Sequence, residues 1–450
     1  MRLKSINAVF FAALLFAGVN ARADSLRDVV AETLSSHPAI SGALQGQEAA
    51  EHGRDAEVSN YYPEINAGLV GGRVYQDNST SRGLVTERGA AYSGYGEGNI
   101  ALRQMLFDGL ETTNRVRAAD ARIESEMYSL VEIEEEVISD VVNSYVEVMR
   151  LRSALSLLGK HADLVRDYLN RIVGMVEEGV ADEAQLQQAR DVSMVVDSLV
   201  ADYEGRLHSA NATYFEVTGE MPPEQLALPG SVQEYISDDI AAVVNNASAS
   251  HPMILAARLD TNAAHHEMRA EKSKIYPDVM GELSYYKSNK KDTIGGENTD
   301  ARAVVKMNWA FSTGGRELSE VRKKQSEHDQ AQKRAEEMER QLERMIYQSY
   351  ARYRTFQKKY TLAADRVELN EKLVEAYKTQ FEGSRISLLN LMRAESQLFK
   401  AKLERSDNAY NLLASEYGVL ASIGSLKNVI LSLPVDDRTR PVTEGEDYSQ

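Results

Sequence analysis

The chain has 450 residues, 51 Lys and Arg against 68 Asp and Glu, a net charge of −17 and no cysteine. That balance excludes the basic footprint of a nucleic-acid binder, and the missing thiols exclude disulfides and thiolate metal centres. No run of eighteen apolar residues occurs, so no transmembrane helix is predicted, although barrel strands leave a much weaker trace.

Residues 1–23 read as an export signal. Arg2 and Lys4 form its basic start, residues 8–19 are apolar and too few to span a bilayer, and Ala21-Arg22-Ala23 fits a cleavage site. No cysteine comes after it, so no lipid attachment is predicted there. Without the three basic residues of the signal, the mature charge falls to about −20, which suits an acidic solvated surface or a water-filled lumen.

Residues 24–60 read as helical, with Asp24 or Ser25 as cap and a break near Ser36-His37, because Pro38 cannot continue a helix. Tyr62-Pro63 ends this region. Ile65, Ala67 and Leu69 then alternate with Glu64, Asn66 and Gly68, which predicts a strand. Residues 76–90 read as a polar loop, and 92–105 as a second alternating strand. Phe107-Asp108-Gly109 closes it, with Asp108 placed to cap a helix. From about 110 to 176 there is no proline, and an apolar stripe runs close to coiled-coil spacing, so a helix on the order of 100 Å long is predicted. Residues 179–182 form a turn, a helix returns over 183–217, and proline-rich residues 218–230 link to the second half of the chain.

The second half repeats the plan of the first. Ser36-His37-Pro38 and Tyr62-Pro63 recur 214 positions later as Ser250-His251-Pro252 and Tyr276-Pro277, without a gap between them. Ser144-Tyr145, Leu186 and Ala189 recur 205 positions later as Ser349-Tyr350, Leu391 and Ala394. The chain thus divides into a signal (1–23), a first unit (24–222), a second unit (223–434) and a charged, aperiodic tail (435–450) expected to be disordered. In the second unit, 231–274 reads as helical with a break at Pro252. Val279, Gly281, Leu283 and Tyr285 mark a strand, 287–300 a polar loop, and Val305, Met307 and Trp309 another strand. Residues 311–315 end it, 316–381 form the second long helix, and 388–423 its return. The fold class is therefore mainly α with a small β part. Four strands of about ten residues cannot close a barrel alone, whereas three chains supply twelve.

The two-unit plan, the strand end Leu106-Phe107-Asp108-Gly109 and the run from Gln380 to Glu395 resemble the TolC family of outer-membrane channel proteins. That run (QFEGSRISLLNLMRAE) is similar to the family's Q-F-x-V-G-K-R-T-L-L-D-L-L-D-A-E at the periplasmic tip of the second hairpin. The resemblance implies a homotrimer with a β-barrel in outer-membrane lipid and a helical tunnel across the periplasm. It also implies a periplasmic adaptor docking at the tips and an inner-membrane pump, an ABC transporter or another. Gly179, Asp182 and Gln185 on the first tip, and Gly383, Arg385, Ser387, Asn390 and Arg393 on the second, are the implied gate and adaptor-contact residues. Pro63, Phe107, Asp108, Gly109, Pro277, Phe311 and Gly314 mark the implied junction of barrel and helices. The family's tip glycine, arginine and two aspartates fall on Ser384, Ile386, Asn390 and Arg393, which suggests that Arg385 and Arg393 instead pair with carboxylates such as Asp182, Glu183 or Glu395 in neighbouring hairpins.

No catalytic constellation emerges. His265-His266-Glu267 lacks metal-ligand spacing, and Gly94, Gly96 and Gly98 lie inside a strand pattern rather than before a helix. No cofactor is predicted. The tyrosines at 61, 62, 75, 92, 95, 276, 285 and 286 gather near the strands and suit a membrane interface. The expected function is a passive exit duct for type I protein secretion, with a drug or metabolite efflux outlet as the alternative and a soluble periplasmic coiled-coil protein as the reading from another class.

Overall fold

A computed structural model describes residues 25–76, 91–290, 297–310, 312–383 and 385–433. The signal, the tail, Phe311 and Ser384 lie outside the described residues. In order, the chain forms α1 (Leu26–Ser36), α2 (Pro38–Ser59), β1 (Glu64–Gln76), β2 (Ala91–Phe107), α3 (Glu111–Glu177) and α4 (Glu183–Thr218). The second unit forms a 3₁₀ turn (Gln233–Tyr235), α5 (Ile240–Ser250), α6 (Pro252–Ser273), β3 (Asp278–Lys290), β4 (Glu297–Asn308), α7 (Arg316–Glu382), α8 (Leu388–Ser422) and α9 (Leu426–Ser432).

The helix breaks fall where proline demands. Pro38 and Pro252 are the first residues of α2 and α6, where a missing N–H costs nothing. The preceding histidines serve as caps: His37 Nδ1 accepts from the Ala39 N–H at 3.2 Å and His251 Nδ1 from the Met253 N–H at 3.3 Å. Three expectations need correction. Residues 231–239 form only the short 3₁₀ turn, because Ser231 and Val232 are drawn to the Glu416 carboxylate instead of starting a helix. The polar segment 287–300 is mostly strand, since backbone pairing from Lys287–Thr299 to Asn289–Glu297 overrides its composition. Helix α9 was not expected. Its first two N–H groups donate to the buried Glu135 carboxylate of α3, at 3.0 and 3.1 Å, a cap from 291 residues away that sequence spacing does not display.

The strands form one antiparallel sheet in the order β1-β2-β3-β4, and β2–β3 joins the two units. Its register sorts the side chains. Ile65, Leu69, Ile100, Leu102, Leu283, Tyr285, Val305 and Met307 share one face, and Leu69 is 91% exposed. Asn66, Asn99, Arg103, Glu282, Ser284, Arg302 and Lys306 share the other, where Glu282 bridges Arg103 at 3.3 Å and Lys306 at 2.9 Å. Of the three glycines in β2, Gly98 fits close packing, with a Cβ there 3.2 Å from the Leu69 side chain; Gly94 and Gly96 face open space.

Helices α3 and α7 run the length of the helical region, each 67 residues or about 100 Å. Next to the sheet the neighbours run α2–α3–α6–α7; beyond the midpoint they run α4–α3–α8–α7. Between these levels α1, α9 and residues 219–239 form a collar around a core that includes Tyr145, Tyr214, Tyr417, Leu420 and Ile430. The Tyr145 hydroxyl donates to the Ala227 carbonyl at 2.6 Å and that of Tyr417 to Gly230 at 2.8 Å, fixing the linker on one side of the helices. Burial pushes the Glu135 and Glu416 carboxyls up, in spite of the N–H bonds that favour their ionised forms. Among the described residues, no helix is long and apolar enough to cross a membrane.

Candidate functional site

The two ends of the long helices carry the predicted residues. At the sheet end, α2 and α6 finish in matching turns: the N–H groups of Asn60, Tyr61 and Tyr62 bond Glu57, Val58 and Ser59, and those of Lys274, Ile275 and Tyr276 bond Glu271, Lys272 and Ser273. Pro63 and Pro277 then release the chain into β1 and β3. On the way back, Asp108 accepts from the Leu110 N–H at 3.0 Å and the Thr112 N–H at 2.7 Å, so it caps α3 from outside the helix. Partial burial raises its carboxyl, but the bonds from Thr112 and Leu110 outweigh this and hold it below the usual range. Gly109 sits at φ +67°, and a Cβ there would lie 2.6 Å from the Ser273 carbonyl. In the second unit the left-handed residue is Gly315 (φ +71°), one position beyond Gly314. Phe311 lies outside the described residues. Exposed Tyr61, Tyr62, Phe107, Tyr276 and Trp309 gather here, and the Trp309 indole donates to the Ile275 carbonyl at 3.1 Å. These exposed aromatics collect where the apolar sheet face gives way to the helices.

At the far end, the first tip is closed by Gly179 at φ +74°. Asp182 then caps α4, accepting from the Gln185 N–H at 2.8 Å while the Gln185 amide reaches back to the same carboxylate at 3.4 Å. The second tip is made differently. Gly383 has an ordinary φ of −78°, and Ser387 is the N-cap of α8 without a side-chain bond. Arg385 is exposed and, among the described residues, has no carboxylate partner. The structure does not bring Arg393 to a carboxylate within the chain: it donates to the Gln188 side chain at 2.7 Å. Asp182 is engaged as a cap, Glu183 accepts from Gln187 at 2.7 Å, and Glu395 meets Lys378 at 3.3 Å. Asn390 stays exposed on the first turn of α8. Sequence reasoning missed Gln188. The signal was present, because Gln188 and Arg393 occupy equivalent repeat positions, and that bond links the two hairpins across the internal symmetry.

The arrangement is a scaffold with two chemically distinct ends, and it matches known proteins throughout. The family described as outer membrane efflux protein matches residues 29–220 and 243–425. The chain belongs to this family. It is an outer-membrane protein whose helical part lies in the periplasm, and the family is one of channels rather than enzymes. It is 20% identical over 432 residues to the outer membrane efflux protein BepC of Brucella suis, covering 95% of this chain and 91% of that one. It is 24% identical over 278 residues to protein CyaE of Bordetella pertussis, covering 60% of this chain and 57% of that one. The crystal structure of the Campylobacter jejuni CmeC outer membrane channel superposes with a TM-score of 0.77 at 14% identity, over 95% of this chain and 97% of that one. The fold is that of these channels.

Proposed function

We propose that three copies of this chain close into an exit duct that carries cargo outward without changing it. The observation that carries this reading is that the same two edges are open at every level. One edge presents β1, α2 and α4, and the other presents β4 and α7. One rotation therefore pairs β4 with the next β1 and α7 with the next α4, antiparallel in both layers. Closure satisfies sheet edges that lipid does not tolerate and gives twelve strands for three copies. The helical edges suit each other. Leu362, Leu369 and Leu373 lie exposed on α7, and Met194, Val195 and Phe215 on α4. The apolar sheet face then meets lipid, and the face with Arg103, Glu282 and Lys306 meets water.

The two tips are the proposed contact points for a periplasmic adaptor that links the duct to an inner-membrane pump. For cargo we favour an unfolded protein delivered by an ABC transporter, because the TolC-family resemblance implies that many dedicated efflux outlets carry a lipidated cysteine after the signal and this sequence has no cysteine. Small-molecule efflux is the second reading, supported by the name of the Brucella relative. Comparing secreted proteins of a deletion strain with those of the complemented strain separates the two. Loss of one or a few large proteins supports secretion, whereas an unchanged supernatant with new sensitivity to drugs or bile salts supports efflux.

A further inference from the structure

Residues 344–364 of α7 contain five cations, Arg344, Arg352, Arg354, Lys358 and Lys359, and no Asp or Glu, in a chain whose net charge is −17. All five are exposed, and among the described residues none has an ion-pair partner. Three of them lie on the open edge. Arg344, Tyr347, Ala351, Arg354, Lys358 and Leu362 succeed one another at steps of three and four, so they continue the stripe that Leu369 and Leu373 extend. The open edge of α7 is thus apolar towards the tip and basic towards the sheet.

The opposite edge of the chain explains the change. Arg166 meets Asp197 across α3 and α4, and Arg54 meets Asp120 across α2 and α3, so α4 ends and α2 begins with a gap between them along α3. Helices α1 and α9 fill that gap. The levels can be compared through the pairs Arg366–Glu404 and Arg150–Asp407, which tie α7 and α3 to adjacent turns of α8. From that height, Lys358 and Arg344 lie about 12 and 33 Å towards the sheet on α7, and Glu135, which caps α9, lies about 22 Å in the same direction on α3. Helix α9 therefore stands level with the basic stripe. Next to its end, Leu433 is held by Arg27 of α1, whose guanidinium donates to the Leu433 carbonyl at 2.8 Å. The chain beyond it carries Glu444, Glu446 and Asp447 within four positions. The ten residues 434–443 span up to about 33 Å extended, enough to cross to an adjacent helix about 10 Å away.

We infer that the acidic segment 444–447 of one copy docks on the basic stripe Arg344–Arg354–Lys358 of α7 in the next copy, clasping the ring at its collar. This inference rests on the proposed ring of copies. Opposite charges on both sides set the match, and charged segments bind such stripes without a folded partner.

The cysteine-free chain gives a clean background for the test. Ala351→Cys with Gly445→Cys leaves every charge in place, and a short bismaleimide probes the pair in detergent-purified protein. Phe215→Cys with Leu362→Cys probes the ring itself. The expected result is bands of two and three linked chains from both pairs. The tail link alone should fall at least tenfold when Glu444, Glu446 and Asp447 become Gln, Gln and Asn, or when salt is raised to 1 M. A ring pair that links while the tail pair stays unlinked, links only within one chain, or ignores the charge changes overturns the clasp and leaves the ring standing. Failure of both pairs overturns the ring as well.

Discussion

At the first hairpin tip, a left-handed glycine turns the chain and Asp182 and Gln185 lock the start of α4; at the second, an ordinary glycine turns it and Ser387 makes no cap bond. The same inequality appears at the collar. Tyr145 donates to the Ala227 carbonyl, whereas its repeat equivalent Tyr350 is buried with its hydroxyl unpaired among the described residues. At the sheet end the first unit packs Gly109 against the Ser273 carbonyl, while Gly314 faces open space. Duplication therefore preserved the helices, strands and edges, with the histidine caps and the turns before the strands, but not the fastenings at the tips, at Tyr145 and at Gly109. The first unit is the more tightly pinned half, and the second joins it through β2–β3 pairing, packing of α3 on α6 and α8, and the Arg393–Gln188 bond.

The largest difference between the two units is expected at the junction. Gly109→Ala forces a side chain into a left-handed residue against backbone and should cost on the order of 3 kcal/mol, whereas Gly314→Ala should cost under about 0.5 kcal/mol. Heat unfolding of the detergent-solubilised protein compares them, and equal losses would deny the asymmetry. The contact between units is tested by acid. His161 of α3 is buried and stacks on Phe399 of α8 with centroids 4.3 Å apart, and burial, helped by Lys400, lowers its pKa to about 4. A folded value below the ordinary 6.5 means that this contribution is whole above pH 6.5 and is lost as pH falls towards 4. The loss should be on the order of 3 kcal/mol per chain, and His161→Phe should remove that part of the acid sensitivity in melts run between about pH 7.5 and 4.

Smaller effects sharpen the picture. Leu110 has φ +74°, stands where the second unit has Gly315, and is 56% exposed. Leu110→Gly should therefore stabilise by about 1 kcal/mol, by relieving left-handed strain at little loss of packing. At the tips, Asp182→Ala should cost about 1 kcal/mol of local helix stability and Ser387→Ala almost none. Amide exchange over the first turns of α4 and α8 reads this directly, with faster exchange expected in α4 alone.

Most of the fold was legible because its signals are local. Proline placed the breaks at 38 and 252, alternation placed the strands, and long proline-free stripes placed α3 and α7 within a residue or two. The repeat added what local signals lack, the equivalence of the two junctions and the two tips. Misreadings came where a distant partner decides the backbone: Glu416 holding residues 231–232, Glu135 capping α9, and strand pairing extending β3 and β4 through a polar segment. At the tips, residue types marked the turns at Gly179 and Gly383, but the partner of Arg393 came from repeat geometry rather than charge.

The proposed ring closes the open edges at every level by one rotation of three copies. Native mass spectrometry of the full chain, released from detergent at neutral pH, tests it most directly. One dominant species of three chains is expected, falling to single chains when Leu369→Asp places a charge on the α7 edge. A parent protein that flies as single chains, or as pairs, would contradict it.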